Sequence, residues 1–297
     1  MTPPGHPEQV ARLAYVERAL SDARFAGLVR ATAPLADDAT ILRCHPQAYI
    51  DRIVAAEPAT GWHQVDADTH MSPGSVEAAR RAVGGAVAAV DAVMAGEVGN
   101  AFVAARPPGH HAERQTAMGF CLFGTVAIAA KHALDHHGLA RVAVVDFDVH
   151  HGNGTQDLLW DEPRAVFFSS HQSPLWPGTG AEHERGAHDT IFNIPLDPDS
   201  GSATMRAAYE GRVFPILRAL KPDLILISAG FDAHRADPLA QLRWETADFA
   251  WLTARLCDLA AETCEGRIVS VLEGGYDLDA LAASVAAHVG VLMDQGD

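Results

Sequence analysis

Two aspartates and two histidines close the run Val144-Val-Asp-Phe-Asp-Val-His-His-Gly-Asn-Gly154. The run begins as an apolar strand, reaches Asp146, Asp148, His150 and His151, and turns at Gly152 and Gly154. Alternate residues of a strand share a face, so the spacing predicts that Asp146, Asp148 and His150 project together. Two carboxylates and an imidazole on one buried face are costly without a compensating cation. A strand's carboxyl end is also where open α/β sheets place their ligands. A core strand with a polar turn is the plain alternative; the spacing favours a metal site.

Similar signals recur along the chain. Leu224-Ile-Leu-Ile-Ser-Ala-Gly230 is an apolar strand that runs into Phe231-Asp232-Ala-His234. Arg267-Ile-Val-Ser-Val-Leu272 runs into Glu273-Gly-Gly-Tyr276-Asp277, and Asn100-Ala-Phe-Val-Ala-Ala105 precedes Arg106-Pro-Pro-Gly-His110-His111. All of these strands carry reactive side chains at the same end, which one parallel sheet with an active site along its carboxyl edge explains. Between them the pattern predicts helices over Pro7–Leu20, Ser75–Met94, Gly124–His136, Ala203–Leu220 and Thr246–Cys264. Strands alternating with helices imply a sheet covered on both faces.

Six motifs follow in order: Arg106-Pro-Pro-Gly-His-His-Ala112, Gly119-Phe-Cys121, Asp146-Phe-Asp-Val-His-His-Gly-Asn-Gly-Thr155, Pro177-Gly-Thr-Gly180, Ser228-Ala-Gly-Phe-Asp232 and Leu272-Glu-Gly-Gly-Tyr276. Together they resemble the zinc-dependent histone deacetylase family, which includes acetylpolyamine amidohydrolases and acetoin-utilisation proteins. The resemblance runs from His6-Pro-Glu8 to about Tyr276, and two of the motifs are closer to the class II branch than to class I. It implies a three-layer α/β/α arginase/deacetylase-like fold with a central, mainly parallel eight-stranded sheet, as a single catalytic domain over residues 1–297.

Roles follow from the resemblance. Asp148, His150 and Asp232 match the zinc ligands, a set of two oxygens and one nitrogen that leaves positions open for water and substrate. Iron(II) or cobalt(II) suits the same ligands. His111 matches the general base, later the acid toward the leaving amine, and His110 its electrostatic partner. Asp146 matches the partner of His110. Asn153 stands where class I members place an aspartate beside the second histidine. Tyr276, after two glycines, matches the phenol that donates to the oxyanion of the tetrahedral intermediate. The family also holds a buried potassium or sodium, for which Asp146 and Ser169, with the backbone of Asp148 and His150, are the matching positions.

The resemblance also implies substrate contacts. Phe120 matches one wall of a narrow acyl-lysine channel, and Gly119 the carbonyl that accepts the substrate amide hydrogen. Trp176 stands where a second phenylalanine is usual, which implies an altered channel width. Leu239 occupies the rim position where polyamine-specific relatives carry an acidic gatekeeper, which favours a lysine-type substrate. Asp68 aligns with a rim residue that accepts N–H bonds from a peptide. Arg12 matches an arginine near the acetate exit, with a solvated helix face as the plain alternative.

Composition narrows the function classes. A formal charge of −16 argues against direct nucleic-acid binding, which needs a basic footprint, and suits a cationic substrate. The N-terminus carries no basic region followed by an apolar stretch, and no long apolar run predicts a membrane span. Cys44, Cys121, Cys257 and Cys264 have no paired metal spacing, so the expectation is a reduced, cytoplasmic setting, with Cys121 a packing residue rather than a nucleophile. The residues imply no oligomeric state. The reading is a zinc-dependent amidohydrolase acting on acyl-lysine. Its rivals are a deacetylase of acetylpolyamines or other small acetylated amines, and a catalytically silent acyl-lysine binding module. A metallophosphoesterase would want two metals and basic phosphate contacts, which the motifs do not offer.

Overall fold

A computed structural model describes residues 2–296. The strands are β1 (His63–Gln64), β2 (His70–Met71), β3 (Asn100–Val103), β4 (Val142–Asp146), β5 (Ala165–Gln172), β6 (Ile191–Leu196), β7 (Leu224–Ala229) and β8 (Ile268–Leu272). The α-helices are α1 (Ala11–Leu20), α2 (Asp38–Ile41), α3 (Gln47–Ala56), α4 (Ser75–Met94), α5 (Thr125–His136), α6 (Asn153–Leu159), α7 (Ser202–Ala208), α8 (Phe214–Leu220), α9 (Thr246–Thr263) and α10 (Leu278–Asp294).

Six strands form one parallel sheet in the order β3-β8-β7-β4-β5-β6. Strands β4, β7 and β8 are buried along their whole length, as near-continuous apolar runs must be when helices cover both faces. The alternation of side chains sorts the core into two layers. Val145, Phe168, Ile225 and Ile227 pack with α1 and α7–α10; Val144, Phe167, Leu226 and Val269 pack with α2–α6. That is the expected α/β/α arrangement.

The expected eight strands are corrected to six in the central sheet. The other two, β1 and β2, pair only with each other, antiparallel. Both residues of β1 are exposed, and a segment this polar cannot enter a sheet buried on both sides. A second correction concerns β4, which ends at Asp146, so Asp148 and His150 do not share a strand face with it. Instead the chain bends: Asp146 Oδ1 accepts the Asp148 N–H (3.1 Å), and Asp148 Oδ1 accepts the His150 N–H (2.9 Å). The single helix expected over Ala203–Leu220 is also interrupted, by a wide turn over Tyr209–Val213. Pro215, in the first turn of the next helix, cannot donate to the preceding turn, which a wider turn accommodates.

Topology places the site. From β4 the chain proceeds outward through β5 and β6, while β7 returns to the opposite side of β4. The crevice at the carboxyl ends of β4 and β7 is therefore a topological switch point, where such sheets bind ligands.

Away from that edge, His288 on α10 is fully buried between α9 and β8. The Thr253 hydroxyl donates to Phe249 O (2.6 Å), so its oxygen accepts from His288 Nδ1–H (2.7 Å), and Nε2 accepts from Ser270 (2.9 Å). Burial pushes this imidazole down to about 3, whereas an unfolded histidine titrates at about 6.5. The neutral ring thus stabilises the fold fully above about pH 6.5, and that contribution is lost as pH falls from there toward 3. Denaturation of His288→Asn across this window should show a stability slope shallower than wild type by about 1.4 kcal/mol per pH unit, one proton's worth. Equal slopes would contradict a neutral buried ring.

Candidate active site

The bend after β4 and the loop after β7 bring Asp148, His150 and Asp232 together. One ligand atom from each lies within 4.8 Å of the others. His150 Nδ1 is 3.1 Å from Asp148 Oδ1 and 3.2 Å from Asp232 Oδ2. Asp148 Oδ2 accepts the Gly274 N–H (2.9 Å), and Asp232 Oδ1 accepts the Val149 N–H (2.8 Å). Asp232 Oδ2, fully buried, has no well-aligned hydrogen-bond donor. Burial raises the Asp232 carboxyl above its usual range, and the neighbouring Asp148 charge raises it further. Burial also opposes charge on His150, yet its bond to Asp148 and the Asp232 carboxylate beside it lift it to about 10. Two buried carboxylates therefore draw a positive charge to the point between them. A cation held there by the same three residues satisfies the orphaned oxygen, and the donor set suits zinc.

Glycines keep this space open. A Cβ on Gly230 would lie 2.1 Å from Asp148 Oδ2, and one on Gly274 would lie 2.1 Å from Asp232 Oδ2. Neither position tolerates a side chain without moving a carboxylate.

The loop after β3 supplies His110 and His111, whose ring centroids are 3.9 Å apart. His110 Nδ1 bonds Asp146 Oδ2 (3.0 Å), and Nε2 lies 3.6 Å from Asp148 Oδ2. His111 Nδ1 is 2.7 Å from Asn153 Oδ1. The Asn153 amide group donates to Glu113 Oε1 (2.8 Å), an acceptor-only carboxylate, so its oxygen must face His111. His111 accordingly donates through Nδ1–H and keeps a lone pair on Nε2. Burial, reinforced by His110 and His150, holds His111 well below the ordinary histidine range. Burial acts the same way on His110, but Asp148 and Asp146 overcome it and hold that ring well above the range. Environments that drive two neighbouring titratable groups apart are the pattern of an acid–base pair.

Tyr276 follows β8 through Gly274 and Gly275, the latter at φ +122°, a conformation side chains rarely adopt. Its backbone N–H donates to Asp237 Oδ2 (2.7 Å), and its ring packs edge-on against Phe120 at 5.8 Å. Arg12 lies with its guanidinium 5.0 Å from the Tyr276 ring centroid and donates to Gly275 O (2.7 Å) and Glu273 O (2.5 Å). It is fully buried, which overturns the solvated-face alternative.

Gly119 and Phe120 both have positive φ, +55° and +68°. A Cβ on Gly119 would lie 2.4 Å from the His111 ring and 2.6 Å from Trp176, so only glycine fits between them. Asp68 Oδ1 accepts the Gly119 N–H (3.2 Å), and Thr69 accepts the Phe120 N–H (3.0 Å), so Asp68 already supports this turn. The Gly119 carbonyl accepts from Cys121 Sγ (3.2 Å) and retains a second lone pair. All four cysteines are buried and free, and burial pushes the Cys121 thiol well up, as suits a packing residue. Trp176, 42% exposed, stands edge-on to His111 at 4.7 Å. Leu239 is half-buried, its N–H donating to Asp237 Oδ1 (3.0 Å). Ser169 pairs with Asp146 across the β4–β5 ladder, with its hydroxyl 3.0 Å from His171 Nδ1.

Three residues, Glu113 among them, escaped the sequence reading. Glu273 Oε2 accepts the backbone N–H of Gly109 (2.6 Å) and of His110 (3.1 Å), tying the His110 loop to β8. Asp237 holds the Tyr276 backbone. Burial pushes Glu273 and Asp237 each to about 7, for Asp237 with help from Asp232. A carboxylate directly after an apolar strand was the available signal for Glu273.

Known proteins resemble this chain over most of its length. The model of the histone deacetylase domain matches residues 6–292. An uncharacterised protein of Synechocystis is 45% identical over 96% of this chain and 92% of its own. The histone deacetylase-like amidohydrolase of Pseudomonas aeruginosa is 42% identical over 82% of this chain and 65% of its own. The mouse polyamine deacetylase HDAC10 is 41% identical over 75% of this chain but 34% of its own. The crystal structure of the HDA15 HD domain superposes with a TM-score of 0.93 at 33% identity, covering 99% of this chain and 83% of that one.

Gly274→Ala should displace Asp232 Oδ2 and lower metal affinity by about 10–100-fold, the usual cost of disturbing a ligand's support. Elemental analysis after dialysis, with circular dichroism as the folding control, checks this. Full metal retention would mean that the two carboxylates are not the ligands.

Proposed function

The chain belongs to the histone deacetylase family, and from that premise we propose that it is a zinc-dependent amidohydrolase that removes acyl groups from lysine side chains. The observation that carries the reading is the buried Asp148–His150–Asp232 set with its orphaned Asp232 oxygen. These three residues would hold the zinc, which when bound supplies Lewis acidity toward an amide carbonyl and lowers the pKa of its water.

The chain's own residues supply the rest. His111 Nε2 carries the lone pair that takes a proton from the attacking water, and the same nitrogen returns it to the leaving amine. Asn153, oriented by Glu113, keeps the ring in that tautomer. His110, paired with Asp146, adds positive charge beside the developing oxyanion. The Tyr276 hydroxyl donates to that oxyanion, with its backbone held by Asp237 and Arg12 beneath its ring. Arg12, buried beside Tyr276, is the residue we carry over for acetate exit. Phe120 and Trp176 flank the methylene stem of the substrate, while the free lone pair of Gly119 O receives the amide hydrogen. Asp68, half-buried at the rim, adds an acceptor for a peptide backbone. Asp146 and Ser169 are the side chains offered to a potassium or sodium ion. Leu239 offers no charge to a second ammonium, which supports lysine over polyamine, although a relative carries the name polyamine deacetylase.

Chelation should abolish turnover and zinc should restore it. His111→Ala and Tyr276→Phe should each lower kcat by about 10²-fold or more with metal retained, because proton transfer and oxyanion donation act in the transition state. Near-normal turnover in either would reverse these assignments, and an inert wild type that still binds acetyl-lysine peptide would point to a silent binding module.

Substrate choice is the separate test. kcat/KM should be higher for acetyl-lysine peptides than for acetylspermidine or acetylputrescine, and Leu239→Glu should shift the ratio toward the polyamines. Both substrates should be measured at two salt concentrations, since the net charge of −16 attracts any cation. A wild-type preference for acetylpolyamines at high salt would replace the lysine reading.

A further inference from the structure

A second group of metal-ligating side chains lies far from the catalytic edge. The sheet strands run parallel, and α4 and α5 each lead directly into one, β3 and β4. Their C-terminal ends therefore sit at the amino edge of the sheet, opposite the bend that carries Asp148 and His150. There, α5 ends in His132-Ala-Leu-Asp-His136-His137, with His132 and His136 one turn apart and stacked at 4.8 Å. Asp91, in the last turn of α4, faces them.

Asp91 Oδ1 accepts from both His132 Nε2 (2.6 Å) and His137 Nε2 (2.8 Å), so two imidazoles already converge on one carboxylate oxygen. One ligand atom from each of Asp91, His132, His136 and His137 lies within 4.8 Å of the others. His132 is buried and His137 mostly so, while Asp91 and His136 open to solvent, which gives an ion a way in. Gly138, at φ +67°, ends the helix immediately after His137. The negative end of the α5 dipole also falls at the cluster and favours a cation.

We propose that Asp91, His132, His136 and His137 form a second, structural metal site for a divalent ion of the zinc, nickel(II), cobalt(II) or copper(II) class, joining the C-terminal ends of α4 and α5. Three imidazoles and one carboxylate suit these borderline ions and not calcium or magnesium, which want oxygen. Tetrahedral zinc with bonds of about 2.0–2.1 Å sets its ligand atoms roughly 3.3 Å apart. The present separations straddle that distance, so small side-chain shifts close the shell. On binding, His132 and His137 turn the Nε2 lone pair to the ion and carry their single proton on Nδ1. Four protein ligands leave no open position, which makes this a staple and not a second catalytic centre. It is independent of the reading of the active site.

The test uses the full chain without an affinity tag, equilibrated with zinc and then dialysed. Elemental analysis should find two zinc ions per chain in wild type and one in His136→Gln/His137→Gln, with acyl-amide hydrolysis unchanged. Added nickel should raise the unfolding temperature of wild type by more than that of the double variant, which keeps only the Asp148–His150–Asp232 site, while both melt alike without metal. His183→Gln/His188→Gln, which removes exposed histidines elsewhere, should still bind two. Equal zinc in wild type and the cluster variant overturns the site, as does an equal loss in the control variant. Should the active-site reading alone fail, the wild type would bind one zinc and the cluster variant none.

Discussion

The structure is organised around the cost of burying Asp148 and Asp232 beside one another without water. Like charges this close and this deep repel strongly, and neither can be left unpaired. The surroundings answer with directed donors: backbone N–H groups from Val149, His150 and Gly274, and the His150 ring between the two carboxylates. Val149 and His150 lie on the loop after β4, Gly274 on the loop after β8, and the acceptor Asp232 on the loop after β7, so these three loops cannot move independently. The orphaned Asp232 oxygen marks where this compensation stops short of complete.

Around that pair, further buried carboxylates act as clamps on backbone. Glu273 grips the turn that presents His110, and Asp237 grips the turn that presents Tyr276. Glu8 ties Arg12 and Arg106 together, and both arginines lie against loops of the same edge. Although Arg106 and Glu8 are 98 residues apart, their ion pair joins the chain before α1 to the loop after β3. The reactive side chains thus sit on flexible glycine-rich turns that are fixed by charge-assisted bonds rather than by apolar packing.

Much of this was legible in the sequence, for a physical reason. Strands β4, β7 and β8 are buried on both faces and so read as unbroken apolar runs, and the residues just beyond each run are the ones the sheet edge gathers. The ends of α4 and α9 matched their apolar pattern closely. Periodicity failed where it was extended past its element, as in carrying strand alternation from Asp146 to His150. It was also silent on β6, whose Pro195 reads as a breaker yet is tolerated on an outermost strand. The bonds made by Glu273, Asp237 and Glu113 could not be read from the sequence, because their partners are backbone groups and a side-chain amide up to 164 residues away. No local pattern records such pairings.

The hydrogen bond between Asn153 and Glu113 couples the residue types that these two positions of the chain can hold together. Because the amide donates to a carboxylate that can only accept, replacing Asn153 with aspartate would set two acidic groups face to face at 2.8 Å. One of them would have to hold a proton, and the ring of His111 would lose a partner of settled orientation. An acidic residue at 153 therefore fits this chain best with a residue at 113 that can donate to it or is not acidic.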